Sequence, residues 1–222
     1  MSALRRVADD PRGREAAIQV LRHGGIVALP TDTVYGIGVA LDTPGGIERL
    51  FAAKHRPPDK AIALLLADVA QAAEIGELDA AGAALAAAFW PGGLTLVVPR
   101  RTSRALPAAL TGGELAPGAI ATVGLRVPDH PAPRALAAAL GPLPTTSANR
   151  SGEPEARDAD EIERLLGDAI DLVLDGGPAG GGPASTVVDV TGGQPRILRT
   201  GAIAGEDIER CLTSAGLPGV GR

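Results

Sequence analysis

The chain has 222 residues, 45% of them hydrophobic, enough for one large domain that buries roughly 70% of its unfolded surface in a core that is aliphatic, because aromatics are only 2%. A net charge of −5 argues against a protein that is basic overall and holds nucleic acid by bulk electrostatics. A single cysteine, Cys211, excludes an internal disulfide or a thiolate-rich metal site; with no signal-like N-terminus and no apolar run near 18 residues, a cytoplasmic protein without a membrane span is expected.

In chain order, Asp10 and Pro11 suit the cap and first turn of a helix over Arg12 to His23, ended by Gly24 and Gly25. Ile26 to Leu29 and Ile37 to Leu41 read as strands. Thr43 and Pro44 open a helix with Ile47, Leu50 and Phe51 on its apolar face, running out near Lys54 before Pro57. Ala61 to Leu66 is a buried strand, and Asp68 and Asp79 cap the alanine-rich helical segments that follow. Strands at Leu94 to Val98 and Ala119 to Val127, a helix at Pro131 to Leu140 and a strand at Leu143 to Thr146 come next. A helix at Ala159 to Leu166, strands at Ile170 to Leu174, Ser185 to Val190 and Arg196 to Leu198, and a helix at Glu206 to Ala215 complete the pattern. Alternating strands and helices predict an α/β fold, a twisted mixed sheet with helices packed on it, as one domain with its core at about 12–203. "GGPAGGGPAST" reads as a loop.

Several motifs are excluded. "GGPAGGGP" is not followed by the Gly-Lys-Ser/Thr of a P-loop, "GIG" lacks the third glycine of a dinucleotide fingerprint, and His23, His55 and His130 have no metal-ligand spacing. What remains is a set of polar residues at strand ends. "LPTDTVYGIG" runs a buried strand into hydroxyls. "AAKHRPPDK" places Lys54, Arg56 and Lys60 past a helix, where cations could merely complement the helix dipole, worth about 0.3–1 kcal/mol. Thr122 and Arg126 are four apart on one strand and share a face. Ser147 and Asn149 stand at a strand exit, Ser185 opens a strand, and Arg199 ends one. Hydroxyls and guanidiniums at strand ends predict an open cationic cavity for a phosphate-bearing ligand, reaction unspecified.

The ordered series "PTDTVYGIG", "KHRPPDK", "PGGLT", "TVGLRVPDHP", "TSANRSGEP", "STVVD" and "ILRTGAI", from about Arg12 to Ile203, resembles the TsaC/YrdC family of threonylcarbamoyl-AMP synthases. The family's Lys-x-Arg and Ser-x-Asn signature stands complete as Lys54, Arg56, Ser147 and Asn149. The resemblance implies formation of threonylcarbamoyl-adenylate and pyrophosphate from L-threonine, bicarbonate and ATP, with magnesium accompanying ATP and no prosthetic group. Partner proteins would then transfer the product to tRNA. It also implies roles. Thr33, Arg126, Ser147 and Ser185 would bind threonine, Arg126 meeting its carboxylate. Arg56, Lys60, Thr122, Asn149, Arg157 and Arg199 would bind ATP, with Lys54 beside the phosphates, and no protein side chain would cage the metal.

The chain departs from the family pattern at two places. Gly93 stands where Pro-Gly-Pro-Leu-Thr is usual, and Leu65 where many members carry a histidine near threonine. The extra C-terminal domain of longer members is expected to be missing. Two other readings compete: a paralogue with a different carbamoyl or nucleotide substrate, and a module that binds tRNA or double-stranded RNA on a cationic face.

Overall fold

The computed structural model describes residues 4–55, 62–101, 106–107, 110, 120–180 and 182–221. The helices are α1 (Pro11–Arg22), α2 (Gly46–Lys54), α3 (Val69–Ile75), α4 (Ala80–Phe89), α5 (Pro131–Leu140), α6 (Ala159–Leu166) and α7 (Gly205–Ser214). Their starts follow local chemistry. Asp10, Asp68, Asp79 and Asp158 each accept a backbone N–H of the first turn, satisfying a donor that the helix cannot. The start of α2 differs from the expected opening at Thr43. Thr43 to Gly46 first form a turn, closed by Gly46 N–H donating to Thr43 O, and Gly45 is left-handed at φ 67°, so helical backbone begins only at Gly46.

The strands are β1 (Arg5–Ala8), β2 (Val27–Leu29), β3 (Gly36–Gly38), β4 (Ala63–Leu65), β5 (Leu94–Pro99), β6 (Thr122–Arg126), β7 (Leu143–Ser147), β8 (Leu172–Asp175), β9 (Thr186–Asp189) and β10 (Arg196–Arg199). They form one mixed sheet in the order β1-β8-β2-β3-β7-β4-β6-β5-β9-β10. The mixed α/β architecture expected from the alternating pattern is therefore the one observed. Strand β1 has no counterpart in the sequence reading. Its "RRVA" carries no apolar alternation, because an edge strand can be held by parallel pairing to β8 and by Arg6 bonded to Asp175 and Asp160.

Register places the site. Opposed residues across a ladder share a face, so the pairs Leu29–Gly36, Gly36–Ser147, Gly38–Thr145, Ala63–Thr145, Leu65–Arg126, Val97–Gly124 and Thr95–Val187 put one continuous set on one side. At one end of that face α1 and α5 pack together over Val27, Leu29, Leu65, Leu143, Leu172 and Leu174. The opposite face carries Ala28, Ile37, Leu64, Leu96, Leu125 and Val188 against α2, α4, α6 and α7, as the larger core. On the first face, beyond the reach of α1 and α5, small or polar residues (Gly36, Ala63, Gly124, Thr95, Thr122) lie beside Val97 and Val187. That bare patch is the floor of a cavity.

Candidate functional site

The cavity measures about 310 Å3 and is lined by Thr33, Thr95, Thr122, Arg126, Thr145, Ser147, Ser185 and Arg199, with Val97, Val187 and Leu198 forming an apolar flank. Its floor needs missing side chains. A Cβ on Gly36 would meet Thr145 Cγ2 at 2.7 Å.

Arg126 ends β6 and is only 6% exposed. Its Nε donates to Gly92 O (3.0 Å), Nη1 to Thr33 Oγ1 (3.0 Å) and Nη2 to Asp32 Oδ1 (2.7 Å). Burial lowers the guanidinium from its ordinary value; Asp32 opposes that, and the nearby Arg199 adds to it. Thr33 is held from below by Thr31, whose hydroxyl lies 3.1 Å from Thr33 Oγ1, accepts the Thr33 N–H and donates to Val34 O. A buried strand therefore runs into hydroxyls at "PTDTVYG" because they hold the arginine and one another.

On the opposite wall Arg199 lies over Ser185. Its Nε and Nη2 donate to Ser185 O at 3.0 and 2.8 Å, and Nη2 reaches Ser185 Oγ at 3.0 Å. Ser185 Oγ is 2.8 Å from Thr95 Oγ1. Burial lowers Arg199 as well, with Glu155 opposing it. Two guanidiniums thus face one cavity, an arrangement that receives anions.

The Lys-x-Arg and Ser-x-Asn residues behave differently. Lys54, at the end of α2, is 1% exposed. Its Nζ donates to Ser147 O and, at 2.7 Å each, to Asn149 O and Asn149 Oδ1. Asn149 Oδ1 also accepts from Ser147 Oγ at 2.6 Å, and Asn149 Nδ2 donates to Glu153 O. Lys54, Ser147 and Asn149 are brought together, but only Ser147 lines the cavity. Arg157 is exposed; its N–H donates to Glu161 Oε2 and its carbonyl accepts from Ala179, away from the lining. Arg56 and Lys60 lie outside the described residues.

Two participants were not assigned from sequence. Thr95 sits in the quoted "PGGLT", and a hydroxyl within the apolar run "LTLVV" was the available signal. Asp32 gave only its place between two threonines. Its partner is 94 residues away, which no local pattern discloses.

The Sua5/YciO/YrdC family model, whose description reads "Telomere recombination", matches residues 19–201. The chain belongs to this family. It is 36% identical over 206 residues to a Bacillus subtilis protein named threonylcarbamoyl-AMP synthase, covering 92% of this chain and 57% of that one. A Mycobacterium tuberculosis relative bearing that name with the prefix "putative" is 36% identical over 202 residues, covering 90% of this chain and 89% of its own. Pyrococcus abyssi Sua5 complexed with L-threonine superposes with a TM-score of 0.85 at 32% identity, covering 99% of this chain and 62% of the other. Escherichia coli YciO superposes at 0.81 with 27% identity, covering 94% of this chain and 100% of its own. The chain thus spans somewhat over half the length of the Bacillus and Pyrococcus relatives.

Proposed function

We propose that this protein is an L-threonylcarbamoyladenylate synthase, a nucleotidyltransferase serving threonylcarbamoyladenosine modification of tRNA. The observation that carries the reading is the buried Arg126, braced beside Thr33 in a cavity that Ser147, Ser185 and Arg199 also line. The similarity to Sua5 complexed with L-threonine supports it.

In this reading the α-amine of threonine adds to the carbon of bicarbonate with loss of water, giving a carbamate. A carbamate oxygen then attacks the α-phosphorus of ATP and pyrophosphate leaves. Arg126 receives the threonine carboxylate, with Thr33, Ser147 and Ser185 around the amino acid. Thr122 and Arg199 flank the nucleotide, offsetting charge that develops at phosphorus. By resemblance Arg56 and Lys60 supply further phosphate contacts, and Lys54 and Asn149 act by ordering the β7 exit that presents Ser147. Arg157 would join the nucleotide site only by moving toward it. Among the described residues no group of three or more His, Cys, Asp or Glu is placed to cage a metal. By resemblance magnesium would accompany ATP, carried mainly by the phosphates, as that ion commonly is.

Both guanidiniums face one concave cavity of about 310 Å3, a size that suits a small anionic ligand better than RNA spread on a surface. Among the described residues no helix is long and apolar enough to cross a membrane. The proposed setting is cytoplasmic, with the adenylate handed to tRNA-modifying transfer proteins.

The test is pyrophosphate release. It should require ATP, L-threonine and bicarbonate together, with the adenylate recovered as product. Hydrolysis of ATP at a rate indifferent to threonine would overturn the reading.

A further inference from the structure

Arg126 has five N–H donors, and the described residues use three. Gly92 O takes Nε–H, Thr33 takes one hydrogen of Nη1, and Asp32 takes one of Nη2. One N–H therefore remains on each terminal nitrogen, donors to which a carboxylate oxygen can bond. Of the three braces, Gly92 O and Thr33 Oγ1 are neutral. Asp32 alone brings charge, and it does not line the cavity, so its effect on a ligand there is exerted through the arginine.

We propose that Asp32 is a positioning residue: its ion pair at 2.7 Å fixes the Arg126 fork so that the remaining donors meet the α-carboxylate of the amino-acid substrate. This rests on the proposed function above. Asp32 also supplies the countercharge that a guanidinium this deeply buried requires. The acid in "TDT" therefore serves specificity for a carboxylate-bearing substrate without touching it.

The experiment compares binding of L-threonine with binding of L-threoninol, which keeps the amine and hydroxyl but lacks the carboxylate, by calorimetry on the full chain. Wild type should prefer threonine. Asp32→Ala should lower threonine affinity about tenfold or more, as loss of an aimed charged hydrogen bond does, and change threoninol affinity little. ATP affinity should stay within about twofold, since the nucleotide contacts do not run through Asp32. Asp32→Asn keeps the size and an acceptor oxygen but not the charge. It covers the case in which the alanine variant does not fold, and should lose part of the same discrimination. Adding Asp32→Ala to Arg126→Ala should cause no further loss. Equal weakening of threonine and threoninol, unchanged discrimination in both variants, or additive losses in the double variant would overturn the proposal. A wild type that binds neither compound would overturn the functional reading itself.

Discussion

Lys54 separates two accounts of a cation after a helix. One that only complements the dipole of α2 would contribute under about 1 kcal/mol and would sit in water. Lys54 is instead almost wholly enclosed, and its ammonium spans Ser147 O, Asn149 O and Asn149 Oδ1. Removing it strands acceptors that have lost water as well as their donor. Lys54→Met, similar in length and apolar, should therefore lower unfolding free energy by about 1–3 kcal/mol, read as a reduced urea midpoint at unchanged slope. Threonine KM should rise in the same variant, because Ser147 hangs from that exit and lines the cavity. A midpoint within error of wild type would return Lys54 to the dipole account.

The helices were the most legible elements, because caps and apolar spacing are local. The expected spans Pro131 to Leu140 and Ala159 to Leu166 coincide with α5 and α6. Helix α5 also carries a pH-sensitive cap. His130 Nδ1 accepts the Ala132 N–H at 3.2 Å, which only the neutral ring can do. Burial lowers the His130 pKa from 6.5, against the opposing pull of Asp9, Asp32 and Asp129, with Arg14 lowering it too. A depressed folded pKa means the folded state favours the neutral ring. That contribution is complete above about pH 6.5 and declines as pH falls toward the folded value. The carboxyls of Asp175 and Asp189 are also held low. Burial raises each, but the Gly177 N–H with Arg6, and Thr191 with Arg196, outweigh it, so their contributions fade only at more acidic pH. His130→Asn retains an oxygen that caps without titrating. The urea midpoint of wild type should fall between pH 7 and pH 5, and the variant should show a smaller fall. Parallel curves would remove His130 from that pH response.

Across the whole molecule, distant segments close on one another around the cavity. Gly93 shows how tightly. A Cβ there would lie 2.6 Å from Ala202 Cβ and 3.6 Å from Thr33 Cγ2, so the start of β5, the segment after β10 and the "TDT" loop meet at one point. The departure from the family's second proline thus sits against a methyl group from residue 202, a contact that only the fold reveals. The Ala202 segment has little freedom to retreat, because Thr186 Oγ1 donates to Ile203 O and accepts the N–H groups of Gly201 and Ile203. Gly93→Ala should cost about 1–3 kcal/mol by overpacking. Adding Ala202→Gly should recover most of that loss, measured as a non-additive double-mutant cycle in urea. Strictly additive costs would mean the two positions do not collide.

Caps, strand runs and the polar residues punctuating them were readable in the chain, since each depends on neighbours a few residues apart. So was the family, because seven motifs kept their order. Which face residues of different strands share was not, nor was the edge strand β1. Both depend on ladder bonds between segments as far apart as Arg5 and Leu172, whose register no local pattern contains. The same reason hid Asp32 behind Arg126 and Ser147 above Lys54. A buried charge takes its partner from whatever the fold brings within 3 Å, and that is settled only when the sheet closes.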